Sequence, residues 1–172
     1  MDRRQLLQTS LYGAMLSSLG ACANNSAALA QTTGRLPAWP SQIQKIAFGS
    51  CIDQHKAQPI WQAILANQPD LFIFGGDTVY ADSQPWQLAK TEAAYATQAA
   101  QAGFAQLRDT IPHLAIWDDN DMGLNDGGAD FPHKQASKNA FTDFWRLPAN
   151  DPRRAREGLY HAMTFGQAGQ RV

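Results

Sequence analysis

The chain has 172 residues, 44% of them hydrophobic, with 14 lysines and arginines against 15 aspartates and glutamates and a formal net charge of -1. That balance belongs to a soluble globular domain; it excludes a disordered acidic or basic tail and a helical membrane bundle. It also removes the electrostatic case for a nucleic-acid or anionic-membrane partner, so any specific chemistry has to come from local constellations.

Residues 1–30 read as an export signal rather than as part of a fold. Arg3 and Arg4 are paired, Leu6 and Leu7 follow, and "LYGAMLSSLGA" supplies a short apolar region. This is the pattern of a twin-arginine signal, with an apolar stretch too short to span a bilayer permanently. Two processing sites compete. "LGAC" resembles a lipobox, which would make Cys22 a lipidated anchor, and "ALA" before Gln31 suits ordinary signal cleavage. The expected location is therefore outside the cytoplasm, periplasmic or held to the outer side of a membrane, with the export machinery as a partner. Cys51 is the only other cysteine. If Cys22 is lipidated, Cys51 is left as an unpaired thiol in an oxidising compartment, where burial or a metal has to account for it.

A polar, Pro-marked linker over residues 31–42 leads into the domain at 43–172. "IQKIAFGSC" alternates and closes on Gly-Ser, the pattern of a strand ending in a tight loop. "QPIWQAILANQPD" puts Ile60, Trp61, Ile64 and Leu65 on one helical face, with Pro59 in the first turn and Pro69 past the end. "DLFIFGGD" is a continuous apolar run, as in a strand buried on both faces. An Ala/Gln-rich stretch from about Trp86 to Gly103 has high helix propensity and a weak apolar stripe. "HLAIWDD" predicts a third buried strand, and "GLYHAMTFGQAGQRV" a closing strand pair. Strands alternating with helices predict an α/β unit with a largely parallel sheet.

In such a sheet the carboxyl ends of the strands line one edge, where ligands bind. Cys51 follows the first strand, Asp77 the second, and Asp118 and Asp119 the third. A single acidic residue after a strand is usually a cap or turn former. Three ends carrying two sets of carboxylates and a thiol point instead to a cation site. "GGDTVYAD" adds Tyr80, and thiolate, phenolate and carboxylate together suit trivalent iron better than zinc or magnesium. The crowding of Asp, Asn and Gly in "AIWDDNDMGLNDGG" also raises a calcium-loop reading, but the ligand order of an EF-hand and its closing glutamate are missing. Neither a Walker-type phosphate loop nor a dinucleotide fingerprint occurs. The histidines, His55, His113, His133 and His161, are scattered and read as surface or turn residues. Arg153, Arg154 and Arg156 read as a solvated cluster rather than a phosphate clamp.

"IAFGSC", "PDLFIFGGDTVYAD", "AIWDDNDMGLNDGGADFP" and "EGLYHAMTFG" resemble, in this order, the motifs of the PhoD-like alkaline phosphatase and phosphodiesterase family. The resemblance implies a metallophosphoesterase-like sandwich of sheets flanked by helices, of which this chain carries the N-terminal portion. It also implies hydrolysis of phosphate mono- or diesters at a site holding iron (Fe3+) and calcium. By the same resemblance Cys51, Asp77 and Tyr80 are metal ligands, Asp77 bridges two metals, and Asp119 faces a metal; in the aspartate-rich turn itself Asn125 is a candidate extra ligand. Asn120 stands where the family more often has a histidine facing the substrate phosphate. An amide can donate to phosphate but cannot carry a proton at neutral pH. The alternative expectation is a truncated, inactive exported remnant that keeps part of the metal site.

Overall fold

The computed structural model describes residues 36–172. The predicted signal, with the lipobox candidate Cys22, and the first five residues of the linker lie outside the described residues. No helix among the described residues is long and apolar enough to cross a membrane.

Strand β1 (Ile46–Gly49) is followed by α1 (Ile60–Asn67), β2 (Leu71–Phe74), α2 (Leu88–Ala99), α3 (Ala102–Thr110) and β3 (His113–Ala115). Then come the short α4 (Asp119–Met122), α5 (Lys134–Phe144) and the short α6 (Pro152–Ala155). The strands form a three-stranded sheet in the order β1-β2-β3, with both pairings parallel, each connected by a crossover that contains helix.

Register divides the sheet into two faces. Ala47, Phe72 and His113 lie side by side, as do Gly49, Phe74 and Ala115. This face carries the core. Phe74 is fully buried against Phe72, Phe104 and Trp145, with ring centroids 4.6, 5.6 and 4.6 Å away. Trp61 of α1 closes the cluster on Phe72 and Phe104. The opposite face carries the row Phe48, Ile73, Leu114. There Phe48 is 82% exposed and Ile46 40% exposed, although a parallel sheet normally has both faces covered. One sheet is present among the described residues.

Three local expectations are revised. The long Ala/Gln helix is broken at Gln101, whose backbone is extended, into α2 and α3. Gly103 is not a terminator but lies inside α3, where a Cβ would come 2.6 Å from the Cβ of Trp61. The missing side chain is what lets α3 close on α1. His113 starts β3 and packs against Phe74 and Trp145 instead of sitting in a turn. The predicted closing strand pair reduces to two backbone bonds between Phe165 and Val172, at 2.9 and 3.0 Å, too few to form a ladder. Trp39, in the described part of the linker, packs on Phe165 at 5.7 Å.

Candidate metal centre

The in-phase pairing of β1 and β2 ends at Gly49 opposite Phe74 and delivers both following loops to the same place. Backbone bonds then tie the loops together: the Cys51 N–H donates to the Gly76 carbonyl (3.3 Å) and the Ile52 N–H to the Asp77 carbonyl (2.7 Å). Cys51 and Asp77 both adopt left-handed backbone conformations, with φ of 61° and 48°. Such values are uncommon for residues with a side chain and cluster at functional sites. Gly76 between them has φ 108°, and a Cβ there would lie 2.8 Å from the Cβ of Asp118. Glycine is therefore what allows the second loop to rest on the residues that follow β3.

Three strand ends thus meet. One carboxylate oxygen from each of Asp77, Asp118 and Asp119 lies within 4.8 Å of the others. The Cys51 thiol reaches Asp77 Oδ2 at 3.7 Å, and the Tyr80 hydroxyl donates to the same oxygen at 3.4 Å. The other oxygen, Asp77 Oδ1, is buried without a hydrogen-bond partner. Buried polar atoms are almost always satisfied, so an orphaned carboxylate oxygen amid two more carboxylates marks a place for positive charge. The surrounding field agrees. Burial, and then the Asp77 carboxylate, push the Tyr80 phenol above its ordinary range. Asp82 is likewise raised, by burial first, with the charges of Asp119 and Asp77 adding to it. A bound cation would reverse both effects.

The support behind these ligand atoms is specific. Asp121 is fully buried and accepts from the Thr78 N–H (3.1 Å), the Asp118 N–H (3.0 Å) and the Tyr95 hydroxyl (3.3 Å). One side chain thereby fixes the loop after β2 to the loop after β3 and completes a capping box on α4 with Asp118. Gln54 holds Tyr80 by both backbone groups, donating to its carbonyl (2.8 Å) and accepting from its N–H (3.0 Å). Gln101 donates in turn to the Gln54 carbonyl at 3.0 Å, so the break between α2 and α3 serves the same loop.

Of the residues picked out in the sequence, Cys51, Asp77, Tyr80 and Asp119 converge on this spot. Asn120 and Asn125 do not present free amides to it. Asn120 is buried and its Nδ2 donates to Asp119 Oδ1 (3.2 Å), while the Asn125 amide donates to Asp126 (2.8 Å). Asp118, which the sequence places beside Asp119 at the third strand end, caps α4 and also joins the carboxylate cluster. Asp82 and the glutamines were not singled out at all. The doubled aspartate after the third strand carried a signal for Asp118, whereas nothing local distinguishes Gln54 from the other polar residues of the loop between β1 and α1. The arginines are occupied elsewhere: Arg153 pairs with Asp151 and Arg154 with Asp143, both at 2.7 Å, and Arg156 lies over the ring of Tyr160.

Three carboxylates, a thiol and a phenol form a donor set suited to a metal cation, and the orphaned Asp77 Oδ1 gives that fit a structural basis. No protein-family model and no curated protein matches the chain. Among solved structures it is similar to PhoD, with a TM-score of 0.59 and 19% identity over 76% of this chain. At that identity the likeness shows a PhoD-like fold. The chain spans 31% of the length of the PhoD chain it matches.

Proposed function

We propose that this protein is a metal-dependent phosphoesterase of the PhoD type, acting on phosphate mono- or diesters outside the cytoplasm. The observation that carries the reading is the buried, unpartnered oxygen of Asp77 within the Asp77, Asp118 and Asp119 cluster, at the carboxyl edge of a parallel sheet. On this reading Cys51, Asp77 and Tyr80 hold iron, and Asp119, with Asp118 beside it, holds calcium. Bound cations of this kind polarise phosphoryl oxygens and lower the pKa of a water for in-line attack. The chain's own residues concentrate negative charge for them, with Asp121 and Gln54 holding the loops in place. The bare face around Phe48 supports the fuller sandwich, because a parallel sheet calls for a second covering layer. Export by a twin-arginine signal, with or without a lipid at Cys22, belongs to the same proposal.

A second reading, a non-catalytic remnant that keeps the metal site, is favoured by Asn120. Its amide is tied to Asp119 and offers no proton to a leaving oxygen. Two measurements separate the readings. Iron-loaded protein is expected to show a visible charge-transfer band that Tyr80→Phe removes; a colourless protein without iron by elemental analysis refutes the metal site. Loaded protein is expected to hydrolyse a chromogenic phosphodiester faster than an Asp77→Ala variant does. Equal rates leave the remnant reading standing.

A further inference from the structure

Among the described residues β1 ends the sheet on one side and has no neighbour along its outer edge. The Lys45 carbonyl accepts from the Asp70 N–H (2.9 Å) and the Gly49 carbonyl from the Gly75 N–H (2.8 Å), so both turn toward β2. By strand alternation Ala47 does the same, and the N–H and C=O of Ile46 and Phe48 point away from the sheet. Their side chains are exposed as well, by 40% and 82%, and Ile60 at the start of α1 is 57% exposed. Ile46, Ala47, Ile60 and Ile64 line one cavity of about 340 Å³ between β1 and α1, which places these apolar groups at one edge. Such an edge is a template for another strand unless a charge, a proline or a bulge blunts it, and the strand IAFG contains none. Lys45, just before it, is held by the Asn67 carbonyl at 2.6 Å. The other terminal strand differs, because Leu36, Trp39 and Met163 wall the cavity beside β3.

We propose that β1 pairs antiparallel with β1 of a second copy of this chain, about a two-fold axis at Ala47, joining the two three-stranded sheets into one. The backbone sets the register. With Ile46 opposite the second copy's Phe48, the two residues exchange both N–H···O=C bonds, and the symmetric pair repeats this across the axis, so every outward group of β1 is used. A two-residue slip would set Phe48 against Gln44, whose N–H already goes to Asp70 Oδ2 (2.8 Å), or Ile46 against Ser50, beyond the strand. Ile46 and the second copy's Phe48 also share a face and cover each other's apolar surface. A two-fold pairing of this kind is closed and stops at two copies. One four-residue strand and a helix end make a small interface, under about 1,200 Å² in total, so the dimer is expected to dissociate on dilution. The pairing needs neither metal nor turnover and is tested apart from the proposed activity.

The test is sedimentation velocity of the full chain under reducing conditions, at concentrations rising to about 200 μM. The 18.8 kDa species is expected to give way to one of twice that mass as concentration rises. Ile46→Pro removes an outward N–H at the first residue of the strand and keeps the bonds to β2, and Phe48→Glu sets a charge against Ile46 of the second copy. Each is expected to weaken dimerisation at least about tenfold. A monomer at every concentration, or a dimer that either folded variant leaves at full strength, overturns the proposal; a dimer insensitive to Ile46→Pro alone is packed through the bare face and not through the strand edge. If Ile46→Pro does not fold by circular dichroism, Phe48→Glu decides, and an undiminished dimer there overturns it.

Discussion

The helix-covered face of the sheet and its carboxyl edge are built by opposite rules. On the face, Phe72, Phe74, Phe104, Trp61 and Trp145 pack ring against ring, and the result follows from apolar area alone. At the edge, a few ångströms further along the same strands, left-handed backbones at Cys51 and Asp77, like charges and an orphaned oxygen accumulate. The first region stabilises the fold, and the second draws on that stability to hold groups that would otherwise repel one another. Asp121 and Gln54 are where the two meet, since both are buried like core residues but spend their polar atoms on the edge.

This contrast can be tested in order of expected effect. Phe74→Ala is expected to cost about 3–5 kcal/mol in denaturant unfolding, as for other fully buried aromatics, with no rescue by metal. Asp121 tests the junction. Burial pushes its carboxyl up to about 7 from the ordinary 3.8. The folded protein therefore retains a proton that the unfolded chain has released. The stabilisation is complete below the ordinary value and is lost as pH rises through about 7, a swing on the order of 4 kcal/mol at most. Unfolding of metal-free protein across this pH range should show that fall, and Asp121→Asn should flatten it. Gln54→Ala strips both backbone partners from Tyr80 and is expected to cost about 1–3 kcal/mol, and to weaken the iron band without abolishing it. The smallest change in stability is expected at the centre itself. Asp77→Asn relieves repulsion and should leave metal-free protein unchanged or more stable by under about 1 kcal/mol. The same variant should lose the rise in Tm that added metal gives the parent. A large loss of metal-free stability in Asp77→Asn would erase the distinction between the two regions.

Much of the architecture was legible in the chain because it depends on local periodicity. The alternation at Ile46–Gly49, the apolar run at Leu71–Phe74 and the helical face of Trp61 each announce their element within a few residues. The placement of Cys51, Asp77 and Asp119 at strand ends followed from the same patterns, as parallel order brings such ends together. Other features failed to show for equally physical reasons. Gly103 reads as a helix stop unless the ring of Trp61 is known to lie against it. Asn120 and Asn125 look like free amides until Asp119 and Asp126 are seen to accept from them.

The sequence by itself therefore determined the order of elements, the parallel sheet and the edge at which the polar residues gather, because hydrophobic spacing and turn residues act over short range. Which carboxylates share one space, which oxygen is left without a partner, and that Gln54 and Asp121 hold the loops were decided only by tertiary structure. Those are contacts between residues 26 to 43 positions apart, formed when strands pair and loops cross, and no local pattern encodes them.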